Sequence, residues 1–243
     1  MEVRVSLVFL GMAPALLIIT IMSRVTLGLV LLPATVVLAA NRISPNEDHV
    51  TASAIVQEMN RARQKPALYA AYIEEMRLHF NGKFFLLPGQ TKLFPKEGLR
   101  AIDEAIRFLR TAQPEQPLVL SPGMSRAAAD HCADQIGGAI GHDGSDHSNP
   151  SNRMSRYGIW TLGWGENIAY GKTSARDIIL ALVIDDGIPG RKHRKNIFNP
   201  KFNFAGAGYG PHARFRTVCS IDFAGGYIEG GREKSRELVA RNY

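Results

Sequence analysis

The stretch that decides the fold begins at residue 121 and reads SPGMSRAAADHCADQIGG up to residue 138. Ser121 is a favoured N-cap residue, and Pro122 follows at the first helical position, where its missing N–H costs nothing. The apolar residues after it recur at helical spacing, and Gly137 and Gly138 close the pattern. One face of this predicted helix carries Met124, Ala127, Ala128, His131, Cys132, Gln135 and Ile136.

Downstream of this helix, residues 141–165 are rich in Gly, Ser, Asn and Asp and predict a long irregular segment, with a short helical turn at 152–157. Ser174 and Asp177 fit a capping box ahead of the apolar residues 178–184, which predicts a buried helix. Two strand candidates follow at residues 204–209 and 217–224, and a charged tail, expected to be mobile after Gly225, closes the chain.

Upstream, residues 50–64 have helical spacing, and residues 67–73 resume it after Pro66, which predicts a helix in two parts. Residues 81–95 read as a loop, and residues 99–109 as an amphipathic helix that ends before Pro114. Helices followed by a pair of strands predict an α+β fold, with helices packed against a small antiparallel sheet.

The first forty residues differ from the rest of the chain. Residues 5–22 and 25–40 are uncharged and mostly apolar. With Met22 as the true start, they fit a cleaved signal peptide, and otherwise an N-terminal anchor. Both interpretations predict export to a secreted, periplasmic or extracellular location, with membrane contact if the segment is not cleaved. Residues 41–49 read as a linker.

The composition excludes several classes of protein. The chain has 243 residues, 29 Lys and Arg against 22 Asp and Glu, and 45% hydrophobic residues, so it is not disordered. Its two cysteines exclude a disulfide-stapled miniprotein and a four-cysteine zinc site. Cys132 and Cys219 are predicted on inward faces, where they either pair or remain buried free thiols, and no Cys-X-X-Cys redox pattern is present.

Three polar islands carry residues suited to chemistry: GHDGSDH at 141–147, GEN at 165–167, and a segment with DDG at 185–187 and RKHR at 191–194. If the fold brings them together, two imidazoles and a carboxylate suit either a divalent metal or general acid–base work. The Asp-rich island also suits turn chemistry and, less well, calcium. The basic run around residues 191–201 fits either an anionic lipid or polymer or a solvated helix face. The chain has no nucleic-acid motif.

In these islands the sequence resembles the CAP superfamily of cysteine-rich secretory, antigen 5 and pathogenesis-related proteins, also called SCP-like extracellular proteins, and it looks most like a bacterial branch. The resemblance runs from about residue 50 to 227 and is strongest from Ser121 onward. The matching stretches are AADH at 128–131, GHDGSD at 141–146, GENIAYG at 165–171, IDDG at 184–187, HRKNIF at 193–198 and CSIDFA at 219–224.

The resemblance implies an α-β-α sandwich with a cavity that holds two His and two acidic residues. The motif matches assign the first three to His142, Glu166 and His193, and the second acid to Asp185 or Asp186, of which Asp186 is taken as the fourth ligand. A divalent metal, most naturally zinc, is the implied cofactor. This chain departs from the family at His147 and Lys192, where glycine is usual, and Lys192 is expected to weaken cation binding.

Three functions follow from the resemblance and the residues. The first is an exported, non-enzymatic binding protein whose cavity holds a metal and whose grooves bind lipid or another extracellular or envelope ligand. The second is a metal-assisted hydrolase, a peptidase, in which Glu166 acts as the general base. The third is a structural or adhesive envelope protein. The domain boundaries predicted for all three are residues 50–227, with a charged tail at 228–243.

Overall fold

The computed structural model describes residues 50–82, 84–86 and 95–230. This part of the chain contains a four-stranded sheet with helices on both faces, which confirms the α+β prediction. The helices are α1 (Ala52–Gln64), α2 (Pro66–Arg77), α3 (Leu99–Thr111), α4 (Pro122–Asp134), α5 (Pro150–Met154), α6 (Ala175–Ile184) and α7 (Lys192–Ile197). The strands are β1 (Phe80–Asn81), β2 (Phe84–Phe85), β3 (Val119–Leu120), β4 (Gly158–Tyr170), β5 (Phe204–His212) and β6 (Arg216–Glu229).

The main sheet has the strand order β3-β5-β6-β4. The two predicted strands, β5 and β6, pair antiparallel as expected, β4 adds to β6 as a third antiparallel strand, and the two-residue strand β3 adds to β5 in parallel. Strands β1 and β2 form a separate antiparallel pair within the region predicted to be a loop. Because β3 leads directly into α4, the parallel pair fixes where α4 begins relative to β5.

The two faces of the sheet bury different helices. On one face, side chains from β5 and β6 pack into a large core shared with α1, α2, α3 and α6. On the other face, Met124 and Ala127 of α4 pack with Met154 of α5 and with Ala224 and Tyr227 of β6. The helices therefore form two layers around the sheet, which confirms the α-β-α sandwich that the resemblance implied.

The helix starts predicted from capping residues are confirmed. The Ser121 hydroxyl accepts a hydrogen bond from the Met124 backbone N–H at 3.0 Å, and the Ser174 hydroxyl accepts one from Asp177 at 3.1 Å. Pro66 begins α2 one residue after α1 ends, so the predicted two-part helix is also confirmed. The two serine signals work because each hydroxyl satisfies a backbone N–H that the helix itself leaves unpaired.

The prediction of an irregular segment over residues 141–165 is wrong for its second half. Residues 158–165 belong to β4, and the predicted helical turn lies earlier, at α5. Strand β4 is interrupted by a bulge between Thr161 and Trp164, and Leu162 has a left-handed φ of 59°. The bulge and the exposed edge disturb the alternation of apolar and polar residues that identifies strands in a sequence.

The predicted boundary between the domain and the C-terminal tail can be compared with the end of β6. Ile228 and Glu229, predicted to belong to the tail, pair with Ile159 and Gly158 as the last residues of β6. The predicted signal peptide or anchor, the linker and the tail beyond residue 230 lie outside the described residues. Within residues 50–82, 84–86 and 95–230, none of the helices is long and apolar enough to cross a membrane.

The two cysteines are buried free thiols on opposite faces of the sheet. Cys219 of β6 belongs to the large core, whereas Cys132 of α4 packs with Val218 and Ile168. Val218 and Cys219 are consecutive in a strand, so their side chains point to opposite faces. The sheet thus separates the two thiols, which favours the free-thiol interpretation. Burial raises the pKa of the Cys132 thiol to about 12, so this cysteine remains protonated at neutral pH.

Helix α4 lies unusually close to β5, because glycines of that strand face it. A Cβ atom built on Gly206 would overlap the backbone of Met124 and Ser125, and one on Gly208 would overlap Ala128 and Ala129. At Gly210, further along the same strand, the nearest atom would be the Cβ of Cys132 at an ordinary 3.7 Å. The close packing of α4 therefore requires glycine at 206 and 208 but not at 210.

We predict that Gly206→Ala lowers the free energy of unfolding by about 1 to 3 kcal/mol, the usual cost of overpacking, because the added methyl group forces α4 away from β5. Gly210→Ala is the matched control and should be neutral or slightly stabilising, since alanine restricts the unfolded chain. Urea unfolding measures both. Equal stabilities of the two variants would contradict this account of the α4–β5 contact.

Candidate functional site

A cavity of about 430 Å³ brings the three polar islands together. One wall comes from the loop after α4, one from β4, and one from α7 with the turn before it. The lining residues are His142, Glu166, Ile188, Lys192, His193, Lys195 and Asn196. Three of the four residues predicted for the site, His142, Glu166 and His193, therefore lie in one cavity.

Glu166 is the most constrained of these residues. Its side chain is 1% exposed. One carboxylate oxygen accepts a hydrogen bond from His142 Nδ1 at 2.7 Å, and the other accepts from Arg153 at 2.7 Å and from the Ser220 hydroxyl at 2.9 Å. Burial disfavours the charged form, but the His142 bond and the Arg153 charge outweigh it, so the pKa of Glu166 lies below its usual value. Glu166 is therefore an ionised carboxylate with both oxygens already engaged.

Arg153 links Glu166 to the loop that carries His142. Its side chain is fully buried, and its Nη1 donates to the carbonyl oxygens of His142 at 3.0 Å and Ser148 at 2.8 Å. The backbone of Gly141, one residue earlier, is held from the other side, since its N–H donates to the Tyr170 hydroxyl at 3.1 Å. No pattern in the sequence identifies Arg153. Its contacts are with His142, 11 positions before it, and Glu166, 13 positions after it, and no local motif links residues at these spacings.

His193 is oriented by a second buried carboxylate, that of Asp185. His193 Nδ1 lies 2.7 Å from Asp185 Oδ1, and the His193 backbone N–H donates to Asp185 Oδ2 at 2.9 Å. Asp185 caps α6 in a left-handed conformation, with φ of 58°, which turns the chain back toward α7. Both imidazoles of the cavity therefore have Nδ1 beside a carboxylate, which leaves Nε2 as the ring nitrogen without such a partner.

Asp186, predicted as the fourth ligand, does not line the cavity. Its carboxylate accepts hydrogen bonds from the backbone N–H groups of Lys96 at 2.6 Å, Glu97 at 2.8 Å and Gly98 at 3.0 Å. These groups lie in the segment that leads into α3, which has Gly98 as its N-cap and begins at Leu99. The assignment of Asp186 to the site is therefore corrected: Asp185 is the acid beside His193, and Asp186 fastens the turn to α3.

Helix α7 is attached to β4 through two asparagines. The Asn167 side chain donates to the His193 carbonyl at 3.0 Å, and the Asn196 side chain donates to the Asn167 side-chain oxygen at 2.9 Å. Asn167 is adjacent to Glu166 in the strand and points to the opposite face. Within the GEN island, Glu166 therefore binds His142, and Asn167 anchors the helix that carries His193.

The basic run of residues 191–195 divides into two groups. Arg191 makes bonds of 2.6 Å to both Glu97 and Glu104, and Arg194 reaches Glu104 at 3.1 Å and the Val183 carbonyl at 2.6 Å. These arginines therefore hold the turn against α3 and α6. Lys192 and Lys195 instead line the cavity, and both are exposed.

The Asp-rich island provides turn chemistry, one of its predicted interpretations. Asp146 accepts a hydrogen bond from the Ser148 backbone N–H at 2.9 Å and pairs with Arg156 at 2.5 Å, while Ser145 donates to Asp134 at 2.8 Å. His147 is exposed, has a left-handed φ of 62° and does not line the cavity. The side chains of Ser145 and Asp146 are therefore engaged in holding the loop.

Of the side chains in and behind the cavity, only the two imidazoles are oriented in a way that suits metal coordination. No group of three or more His, Cys, Asp or Glu side chains within the described ranges is arranged to hold a metal ion. A neutral imidazole whose Nδ1–H donates to a carboxylate presents an Nε2 lone pair, and this is how metal-binding histidines are usually oriented. The residues present thus fit two imidazole ligands, His142 and His193, with Glu166 and Asp185 behind them rather than in the metal's coordination sphere.

Asp222 is a buried acid beneath the cavity that the sequence did not single out. It lies opposite Glu166 in the β4–β6 pairing, is fully buried, and neither side-chain oxygen has a hydrogen-bond partner among the described residues. Burial, and then the negative charge of Glu166, raise the pKa of Asp222 well above its usual value. Of the two acids, Glu166 is therefore the one whose charged form is favoured, and Asp222 the one whose neutral form is favoured.

With this geometry established, comparison with known proteins identifies the class of protein. The sequence profile of the CAP, or cysteine-rich secretory protein, family matches residues 99–223, just over half of the chain. The chain therefore belongs to the CAP family.

The individual proteins that resemble this chain share a modest part of its sequence and align with only part of its length. The chain is 31% identical over 101 residues to the uncharacterized protein YkwD of Bacillus subtilis, an alignment that covers 41% of this chain and 37% of the relative. Among solved structures, it is similar to an extracellular SCP-domain protein from Bacillus anthracis, with 19% identity, a TM-score of 0.37, and coverage of 52% of this chain and 39% of that one. A cysteine-rich secretory protein from Staphylococcus aureus gives 12% identity, a TM-score of 0.33, and coverage of 56% and 42%. The chain thus spans well under half the length of each.

We predict that Asp222→Asn raises the free energy of unfolding at neutral pH, because burial raises the pKa of Asp222 in the folded protein and an amide has no proton to lose. The unfolded chain releases the Asp222 proton more readily than the folded protein does, so wild type loses stability as the pH rises above the pKa of an unfolded aspartate. The gain from the substitution should therefore shrink as the pH falls toward about 4, the pKa of an unfolded aspartate.

Urea unfolding at several pH values measures this difference. Asp143→Asn, at an exposed position of the neighbouring loop, is the control and should leave stability unchanged at every pH. A gap between wild type and Asp222→Asn that stays constant with pH would contradict a protonated Asp222.

Proposed function

We propose that this chain is an exported, non-enzymatic binding protein that holds a divalent cation, zinc in the first instance, through His142 and His193. The observation that carries the proposal is that both imidazoles line one cavity with Nδ1 engaged by a buried carboxylate. Export is supported by the uncharged apolar runs at residues 5–22 and 25–40. The ligand class proposed with the metal is an extracellular or envelope molecule, with lipid as one candidate.

The state of Glu166 argues against the hydrolase. A general base must be free to accept a proton from a water within hydrogen-bond reach. Both Glu166 oxygens already accept bonds, from His142, Arg153 and Ser220, and the side chain is 1% exposed. Its lowered pKa also makes it a weaker base than an ordinary glutamate. We therefore assign Glu166 the role of orienting His142.

Zinc titration by calorimetry tests the metal ligands. We expect the purified exported form to bind one zinc ion per chain, and His142→Ala or His193→Ala to weaken binding more than about 100-fold, since losing a ligand exceeds the effect of losing its outer partner. His147→Asn is the control, because His147 lies in the same loop and outside the cavity, and asparagine tolerates its left-handed backbone.

The same variants decide between binding and hydrolysis. Zinc binding without peptide hydrolysis agrees with the proposal. Zinc-dependent hydrolysis that both histidine substitutions abolish would favour the peptidase instead. Binding that neither substitution weakens would refute the assignment of the two ligands.

A second prediction separates the two neighbouring aspartates. Asp185→Asn should weaken zinc binding by about 10- to 100-fold, the usual effect of losing a partner that orients a metal-binding histidine. Asp185 accepts from His193 Nδ1 with one oxygen and from backbone N–H groups of His193 and Arg194 with the other. In asparagine an NH2 group, which cannot accept a hydrogen bond, replaces one of these oxygens. Whichever way the amide is turned, either the bond from His193 Nδ1 or the bonds from the backbone N–H groups are lost.

Asp186→Asn is the matched control, since its carboxylate contacts α3 and not the histidines. Zinc affinity should stay at the wild-type level in this variant. Calorimetry on both proteins, with circular dichroism to confirm folding, measures the difference. Equal losses in the two variants would contradict the role given to Asp185.

A further inference from the structure

The charges that face solvent in the cavity are positive. Lys192 and Lys195 line it, and neither ammonium group has an ion-pair or hydrogen-bond partner within the described part of the chain. They differ in this from Arg191 and Arg194 on the same short segment, which bind Glu97 and Glu104. The arginines are structural, whereas the lysines are free to contact a ligand.

The acidic groups near the cavity do not offset the lysines. The Glu166 charge is balanced by Arg153, at 2.7 Å and in full burial, so little of it reaches the cavity. The Asp185 carboxylate is 1% exposed and is engaged by His193 and by backbone N–H groups. A ligand entering the cavity therefore meets two uncompensated cations and two imidazoles, with Ile188 as an apolar part of the wall.

We propose that Lys192 and Lys195 form an anion subsite of this cavity that takes the phosphate group of a phosphate monoester. The inference rests on the proposed function in taking this cavity as the binding site, but it requires no metal. A phosphate monoester carries a charge of about −1.5 to −2 at neutral pH and three acceptor oxygens, which match two ammonium groups, whereas a carboxylate carries only one charge.

The size of the cavity indicates that the phosphate belongs to a larger molecule. Its volume of about 430 Å³ falls in the range of sites for small organic ligands rather than for a bare ion. Two sources carry such a group: a soluble phosphorylated metabolite and the headgroup of phosphatidic acid. Their recognition chemistry is shared, so the experiment has one arm for each.

Phosphate binding is measured on the exported form after metal removal with EDTA. In the soluble arm, inorganic phosphate and glycerol 3-phosphate are titrated by calorimetry, with acetate as the carboxylate comparison. In the membrane arm, the protein is sedimented with phosphatidylcholine vesicles with or without phosphatidic acid. We expect wild type to bind a phosphate probe in at least one arm and more tightly than acetate.

The double variant Lys192→Gln/Lys195→Gln should bind about tenfold or more weakly, since each lost charge-assisted hydrogen bond alone accounts for a change of that order. Lys65→Gln/Lys172→Gln removes the same net charge from positions that lie outside the basic run and do not line the cavity, and should bind as wild type does. Circular dichroism confirms that both double variants are folded.

The outcomes separate this inference from the proposed function. Lysine-dependent phosphate binding in a protein that binds no zinc would support the subsite and refute the metal. Binding of the soluble probes indicates a free ligand, and binding only to vesicles with phosphatidic acid indicates a lipid headgroup. The inference is overturned if no phosphate probe binds, if acetate binds as tightly, or if the control double variant is weakened equally.

Discussion

The ion pair between Arg153 and Glu166 determines how the cavity is built. Both side chains are essentially unexposed, and removing one partner of a buried pair typically costs about 3 to 5 kcal/mol, because the other charge is left uncompensated. The same arginine binds the carbonyls of His142 and Ser148, and the same glutamate binds the His142 ring. The position of His142 on its loop therefore follows from a buried pair, of which Glu166 lines the cavity and Arg153 does not.

The fold was predicted best where a local rule acts alone. The starts of α4 and α6 follow from Ser121 and Ser174, whose hydroxyls satisfy backbone N–H groups within three residues. Strand β4 was missed because the residues of β6 that pair with it lie 48 to 71 positions further along the chain, and because its bulge and exposed edge remove the alternation of apolar and polar residues. Helix α5 had a signal of the same kind as α4, an N-cap Asn149 before Pro150, and this placed it two residues earlier than predicted.

For the site, motif matches located the two histidines and Glu166, but not the groups that define their chemistry. Arg153, Ser220 and Asp222 reach Glu166 from other elements, and the sequence contains no spacing that connects them. The sequence also does not distinguish Asp185 from Asp186 as the acid of the site. The two residues are adjacent, and the conformation of the turn determines which side chain points toward His193. The left-handed backbone of Asp185 settles that direction toward His193, and Asp186 then meets the start of α3.

The cavity joins two features that oppose each other in isolation. Lys192 and Lys195 raise the electrostatic cost of a bare divalent cation nearby, and imidazole ligands, unlike carboxylate ligands, do not offset its charge. An anion between the lysines and the cation would lower the energy of both, so occupancy of one site would favour the other, and by linkage the effect is reciprocal. With the two proposed ligands taken together, Lys192 would therefore favour joint binding of a cation and an anion over binding of a cation alone.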